Sequence, residues 1–235
     1  MLKEVKKTRK AFNILDYKKE GDLISWESMP EKGVVIIKGH RATGKSSLAW
    51  WFAQVMQKRT TKKVAAFGMP VEARKNFPQR GFGRGGIQYV DNLKEVSLLK
   101  PSIIICDDPV LIDQGRNAIT KQNNYWLNLI AICGLRDHLL IFIHNQFGNR
   151  ELNSQILIHA DLVFIKQLSK LHFRTRNIFK EAATLFSQIN GDAKKKVYVV
   201  DVHKGSKMLN ANMPIWWSNK TSKSYGFYGN YFVSN

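Results

Sequence analysis

Eight consecutive residues, Gly39-His40-Arg41-Ala42-Thr43-Gly44-Lys45-Ser46, fit the pattern G-x-x-x-x-G-K-[ST] and follow an apolar run, VVIIK. The next residues, SLAWWFAQVMQ, have the composition of a helix, so the motif sits between a strand and a helix as its chemistry requires. The glycines let the backbone wrap a chain of phosphates, and the helix N-terminus turns its free N–H groups toward negative oxygens. In that arrangement Lys45 reaches the β- and γ-phosphates and the Ser46 hydroxyl ligates Mg²⁺. Ser47 is placed for the α-phosphate.

Two further runs end in polar residues suited to the same chemistry. SIIICDD, residues 102–108, reads as a buried strand that delivers two carboxylates to the carboxyl edge of a sheet. Asp107 is expected to hold Mg²⁺, and Asp108 to orient and deprotonate an attacking water. LLIFIHNQ, residues 139–146, is a second such strand, expected beside the first. Gln146, or Asn145, could there contact the γ-phosphate or the water. His144 reads as a strand-end residue, since no His or Cys stands at metal-ligand spacing from it.

These residues need a scaffold, and the apolar pattern describes one. Strands are expected at 34–38, 63–67, 87–90, 102–106, 139–144, 161–165 and 197–202, and helices at 45–58, roughly 117–134, and 177–187. Apolar runs without alternation belong to strands covered on both faces, and their alternation with helices predicts an α/β domain with a mainly parallel sheet. Three parts are expected: a basic lead-in (1–32), the main domain (33–212) and an aromatic tail (213–235) that docks on the domain or on a neighbouring subunit. Trp50 and Trp51 read as core. Composition excludes a disordered chain, with 44% hydrophobic and 23% charged residues in 235. No run approaches the roughly 20 apolar residues of a membrane-spanning helix, and the basic N-terminus has no secretory pattern. The two cysteines, Cys106 and Cys133, lie in apolar stretches and suggest neither a disulfide nor a metal site.

The stretches GHRATGKSSLAWWF, IIICDDP and LRDHLLIFIHNQF together resemble the FtsK/HerA superfamily of P-loop DNA-pumping ATPases, most of all the genome-packaging ATPases of membrane-containing icosahedral viruses. The tail from Met213-Pro214-Ile215-Trp216-Trp217 to Tyr225 is similar to the end of such proteins, so the likeness runs from about Gly33 to Tyr228. The resemblance implies a RecA/FtsK-like P-loop NTPase fold and ATP with Mg²⁺ as ligands. It gives Gln146 the place of a γ-phosphate sensor. It also implies an arginine that reaches a neighbouring subunit's ATP; Arg136 is the candidate, and Arg116, Arg150, Arg174 and Arg176 are alternatives. From a chain of this length the nuclease domain of large terminases, and so DNA cutting, is not expected.

Thirty-seven Lys and Arg oppose eighteen Asp and Glu, a net charge of +19 that calls for a polyanionic partner. The excess avoids residues 101–163 and concentrates in the N-terminal arm, in 58–84 and in 194–223. Arg80 and Arg84 flank Phe82 in a glycine-rich loop, PQRGFGRGG, and are candidates for sequence-blind contacts to DNA phosphates. The expected function is an ATP-hydrolysing translocase that fills a viral capsid with double-stranded DNA. It is expected to act as a homo-oligomeric ring of five or six copies against a capsid vertex or inner-membrane protein, in the host cytoplasm or the virion. Two other classes remain open: an ATP-dependent DNA-binding switch of the initiator or partition type, and a membrane-associated morphogenesis or secretion ATPase.

Overall fold

The computed structural model describes residues 23–78, 82, 86–107, 127–144, 158–168 and 177–224. The strands are β1 (Gly33–Lys38), β2 (Lys63–Phe67), β3 (Ile87–Val90), β4 (Ser102–Asp107), β5 (Leu139–His144), β6 (Leu162–Ile165), β7 (Lys196–Asp201) and β8 (Gly205–Asn210). They form one sheet in the order β3-β2-β4-β5-β1-β6-β7-β8. Pairings from β3 through β6 are parallel, while β6–β7 and β7–β8 are antiparallel. The sequence predicts seven of these strands within a residue or so of their ends. The eighth, GSKMLN, lacks an apolar run because it is the outer arm of a hairpin and only partly buried.

Uninterrupted apolar strands imply two covered faces, and the sheet has them. Val34 and Ile36 of β1, with Ile104, Cys106, Leu140 and Phe142, meet Phe179, Ala182 and Phe186 of helix α4 (Asn177–Ser187) and Leu129 and Cys133 of the helical residues 127–133. Val35 and Ile37, with Ile103, Ile105 and Ile141, meet Leu48, Trp50, Phe52 and Met56 of helix α1 (Lys45–Thr60). Residues of opposite parity on one strand therefore feed two separate cores.

Three short helices complete the described chain: α2 (Val71–Arg74), α3 (Leu93–Ser97) and α5 (Asn219–Ser224). Aromatic side chains close the α1 face. Trp26 packs edge-on against Trp51 and Phe164, and Ile24 and Met29 are buried in the same cluster. Trp216 sits 6.1 Å from Trp50, 5.4 Å from Phe77 and 5.9 Å from Phe82 between ring centroids. Such pairs add roughly 0.5–1.5 kcal/mol each beyond their burial. Phe82, the aromatic of the glycine-rich loop, is fully buried here, and its carbonyl accepts from Gln57 Nε2 at 3.0 Å.

Candidate functional site

Strand order decides what meets at the carboxyl edge. β1 lies between β5 and β6, and β5 lies between β1 and β4. Lys38 stands opposite His144 and Ile165, and Asp107 opposite Ile143. The turn after β1, the acid ending β4 and the end of β6 thus share one edge.

The turn has the shape of a phosphate cradle. Ala42 and Gly44 carry positive φ angles of 60° and 84°, with Thr43 between them. Residues of alternating hand aim successive N–H groups to one side, forming an anion nest. Gly44 is also the N-cap of the 16-residue α1 and leaves the helix's first N–H groups without a side-chain cap. His40, Arg41 and Ala42 form the exposed rim, whereas Thr43, Lys45 and Ser47 are buried. Gly39 is required for a different reason: a Cβ there would stand 2.7 Å from Lys166 Cβ and 3.0 Å from Thr43 Oγ1.

Side-chain contacts organise the loop from within. The His40 carbonyl accepts from Thr43 Oγ1 at 2.7 Å and from Lys45 Nζ at 2.8 Å. This holds the ammonium group over the loop it would serve. Ser46 Oγ donates to Asp107 Oδ2 at 2.8 Å, joining residues 61 positions apart. Ser47 Oγ donates to the Gly44 carbonyl at 2.9 Å and supports the first helical turn. A hydroxyl and a buried carboxylate side by side, next to an N–H nest, form a hard oxygen donor pair suited to Mg²⁺ beside a polyphosphate. These residues fit both groups.

The cysteine preceding the acid plays no part in that chemistry. Burial, and then the neighbouring Asp107 charge, push the Cys106 thiol well above its ordinary range.

Of the residues predicted from sequence, Gly39 through Ser47 and Asp107 are brought together at this edge. Arg136 is not with them. It precedes β5, so it stands at the amino edge of the sheet, where its Nη1 donates to the Ser97 carbonyl. His144 is buried at the end of β5. Asp108, Asn145, Gln146, Arg80, Arg84, Arg116, Arg150, Arg174 and Arg176 lie outside the described residues. Sequence reasoning passed over Lys166 and Gln167, which continue past β6 along the loop. The Lys166 N–H donates to the Lys38 carbonyl at 2.7 Å, and the Gln167 carbonyl accepts from the His40 N–H at 3.0 Å. The only signal for them was their position directly after an apolar run.

A parallel sheet with a phosphate loop after β1 and an acid-tipped strand two places away is the fold of the P-loop NTPases. Among solved structures, the chain is similar to the DNA-packaging ATPase B204 of Sulfolobus turreted icosahedral virus, with a TM-score of 0.55, 15% identity, and coverage of 78% of this chain and 98% of that one. The genome packaging NTPase B204 of Sulfolobus turreted icosahedral virus 2, in complex with ATP-γS, gives a TM-score of 0.54 at 14% identity over 78% of this chain and 100% of that one. The pCW3 conjugation coupling protein TcpA, also with ATP-γS, gives 0.54 at 12% identity over 84% of this chain and 65% of that one. No family model and no curated protein matches the chain in sequence.

Proposed function

We propose that the chain is a Mg²⁺-dependent ATPase that translocates double-stranded DNA and packages a viral genome into a capsid. One observation carries the nucleotide half: the 2.8 Å contact from Ser46 to Asp107, which joins the phosphate loop to the acid of β4. The DNA half is supported by the net charge of +19 and by the shared fold with a viral packaging ATPase.

In this reading the residues from Gly39 to Ser47 cradle the phosphates through backbone N–H groups. Lys45 leaves the His40 carbonyl for the β- and γ-oxygens, and Ser46 and Asp107 hold Mg²⁺. Mg²⁺ held there would supply positive charge against the negative charge that develops on the phosphate oxygens. Asp108 orients and deprotonates the attacking water, and Gln146 senses the γ-phosphate. Arg136, at the opposite edge from its own loop, serves the nucleotide of a neighbouring copy in a ring of five or six. Arg80 and Arg84 grip DNA phosphates. The main unit is 33–212, with the lead-in 1–32 and the tail 213–235 attached to it. The partner is a capsid vertex or inner-membrane protein, met in the host cytoplasm or the virion. Among the described residues, no helix is long and apolar enough to cross a membrane.

The test is ATP hydrolysis by the purified full chain with and without duplex DNA, across DNA length and salt. DNA should stimulate turnover several-fold, the stimulation should fall steeply with salt, and Lys45→Ala should abolish hydrolysis. Turnover indifferent to DNA would overturn the translocase reading. Hydrolysis surviving Lys45→Ala would overturn the site.

A further inference from the structure

Lys166 is a buried cation that the nucleotide chemistry above leaves unused. It is the first residue after β6 and only 1% exposed. Its backbone and that of Gln167 make the two hydrogen bonds that extend the β1–β6 pairing into the phosphate loop. Its Cβ fills the space beside Gly39. Its ammonium donates to the Lys194 carbonyl and, at 2.8 Å, to the Lys196 carbonyl, where a 3-10 turn (Ala193–Lys195) enters β7. One residue thus ties the loop, through its backbone, to β7, through its side chain.

Packing alone does not call for a charge at this point. A methionine would fill much the same volume without the desolvation that a buried ammonium suffers. Two carbonyls accept from two of its three N–H groups but do not neutralise it. The charges that act on it are Asp192, from the turn before β7, and Lys45, from α1. Lys38 and His40 flank it along the loop strand; the Lys38 ammonium lies over the Phe179 ring on the α4 face, and the His40 ring is exposed.

We propose that Lys166 is a positioning residue for nucleoside triphosphate binding: it holds the Gly39–His40 turn in register with β6 and places a second positive charge behind the phosphates that Lys45 would meet from the front. This rests on the reading of the loop as a nucleotide site. Burial, opposed by Asp192 and reinforced by Lys45, lowers the Lys166 pKa from 10.5 to about 8. A polyphosphate in the loop adds negative charge nearby and raises it again. Binding near pH 8 therefore takes up a proton, and affinity falls as pH rises through that value.

The experiment is calorimetric titration of the full chain with Mg·ATP-γS at pH 7, 8 and 9, in buffers of differing ionisation enthalpy. Wild type should take up protons at pH 8 and bind roughly fivefold more weakly at pH 9 than at pH 7, as a rise of about one pK unit on binding implies. Lys166→Met should bind about tenfold more weakly at pH 7 and lose the proton uptake. Lys166→Arg keeps the charge and should bind with a flat profile to pH 9. Should Lys166→Met fail to fold, wild type and Lys166→Arg carry the comparison. Flat wild-type affinity without proton uptake, or uptake that persists in Lys166→Met, would overturn the proposal. No wild-type binding at pH 7 would instead overturn the nucleotide reading, and this proposal with it.

Discussion

Replacing Gly39 by alanine puts a methyl carbon 2.7 Å from Lys166 Cβ, 3.3 Å from the Lys166 carbonyl carbon and 3.0 Å from Thr43 Oγ1. Carbon atoms rest about 3.5–4.0 Å apart, so the gap is short by roughly 1 Å. Neither neighbour yields freely. Lys166 is pinned at both ends of its side chain, and the Thr43 hydroxyl is bonded to the His40 carbonyl. The loop and the end of β6 must part, which costs about 1–3 kcal/mol of overpacking and the roughly 0.5–1.5 kcal/mol of one hydrogen bond between them. At about 2–4 °C per kcal/mol for a chain of this size, the melting temperature should fall by on the order of 10 °C. Gly134→Ala is the internal control, because a Cβ there meets nothing within 4 Å. Its effect should stay within about 0.5 kcal/mol. Thermal denaturation followed by circular dichroism, with nucleotide affinity measured alongside, reads both variants. Gly39→Ala melting with wild type, or Gly134→Ala falling as far, would refute the close-approach argument.

Three further outcomes are expected. Ser46→Ala and Asp107→Asn should each weaken Mg²⁺-dependent nucleotide binding, with a coupling of about 1 kcal/mol in a double-mutant cycle of chemical denaturation without nucleotide; strictly additive effects would mean the 2.8 Å contact is energetically idle. Trp216→Ala should cost about 3 kcal/mol, since it empties the space between Trp50, Phe77 and Phe82. Trp216→Phe should cost far less, because the buried indole N–H it removes has no hydrogen-bond partner among the described residues; equal melting losses in the two variants would contradict this. Burial, then the Arg136 charge, hold His138 below its ordinary value of 6.5. The unfolded chain then binds more protons as pH drops through 6.5, so wild type should lose stability there relative to His138→Asn, and parallel denaturation midpoints from pH 7.5 to 5 would exclude it.

The parts of the site legible in the sequence are those built from contiguous residues. The cradle is one octapeptide between a strand and a helix, and Asp107 announces itself as the acid ending SIIICD. Strands β1, β4 and β5 are readable because burial on both faces removes every polar interruption. What escaped notice depends on which strand lies beside which. Lys166 matters only because β6 pairs with β1, and no local pattern in FIKQL reports that neighbour. Strand β8 is polar because it is an outer arm, and α2, α3 and α5 are too short to show a helical period. Phe82 looks like part of a basic surface loop; its burial follows from the pocket that Trp50 and Trp216 make, residues distant in the chain.

Helix α1 is enclosed from its first residue, with Lys45, Ser47, Leu48, Ala49, Trp50, Phe52, Ala53 and Met56 all buried. A helix held on so many sides cannot swing without tearing open the core that β1 and β4 share. The turn that leads into it is therefore held in place. If nucleotide turnover drives movement in this protein, the stroke belongs to parts fastened at its margins, and the loop before α1 would be the fixed point against which they push.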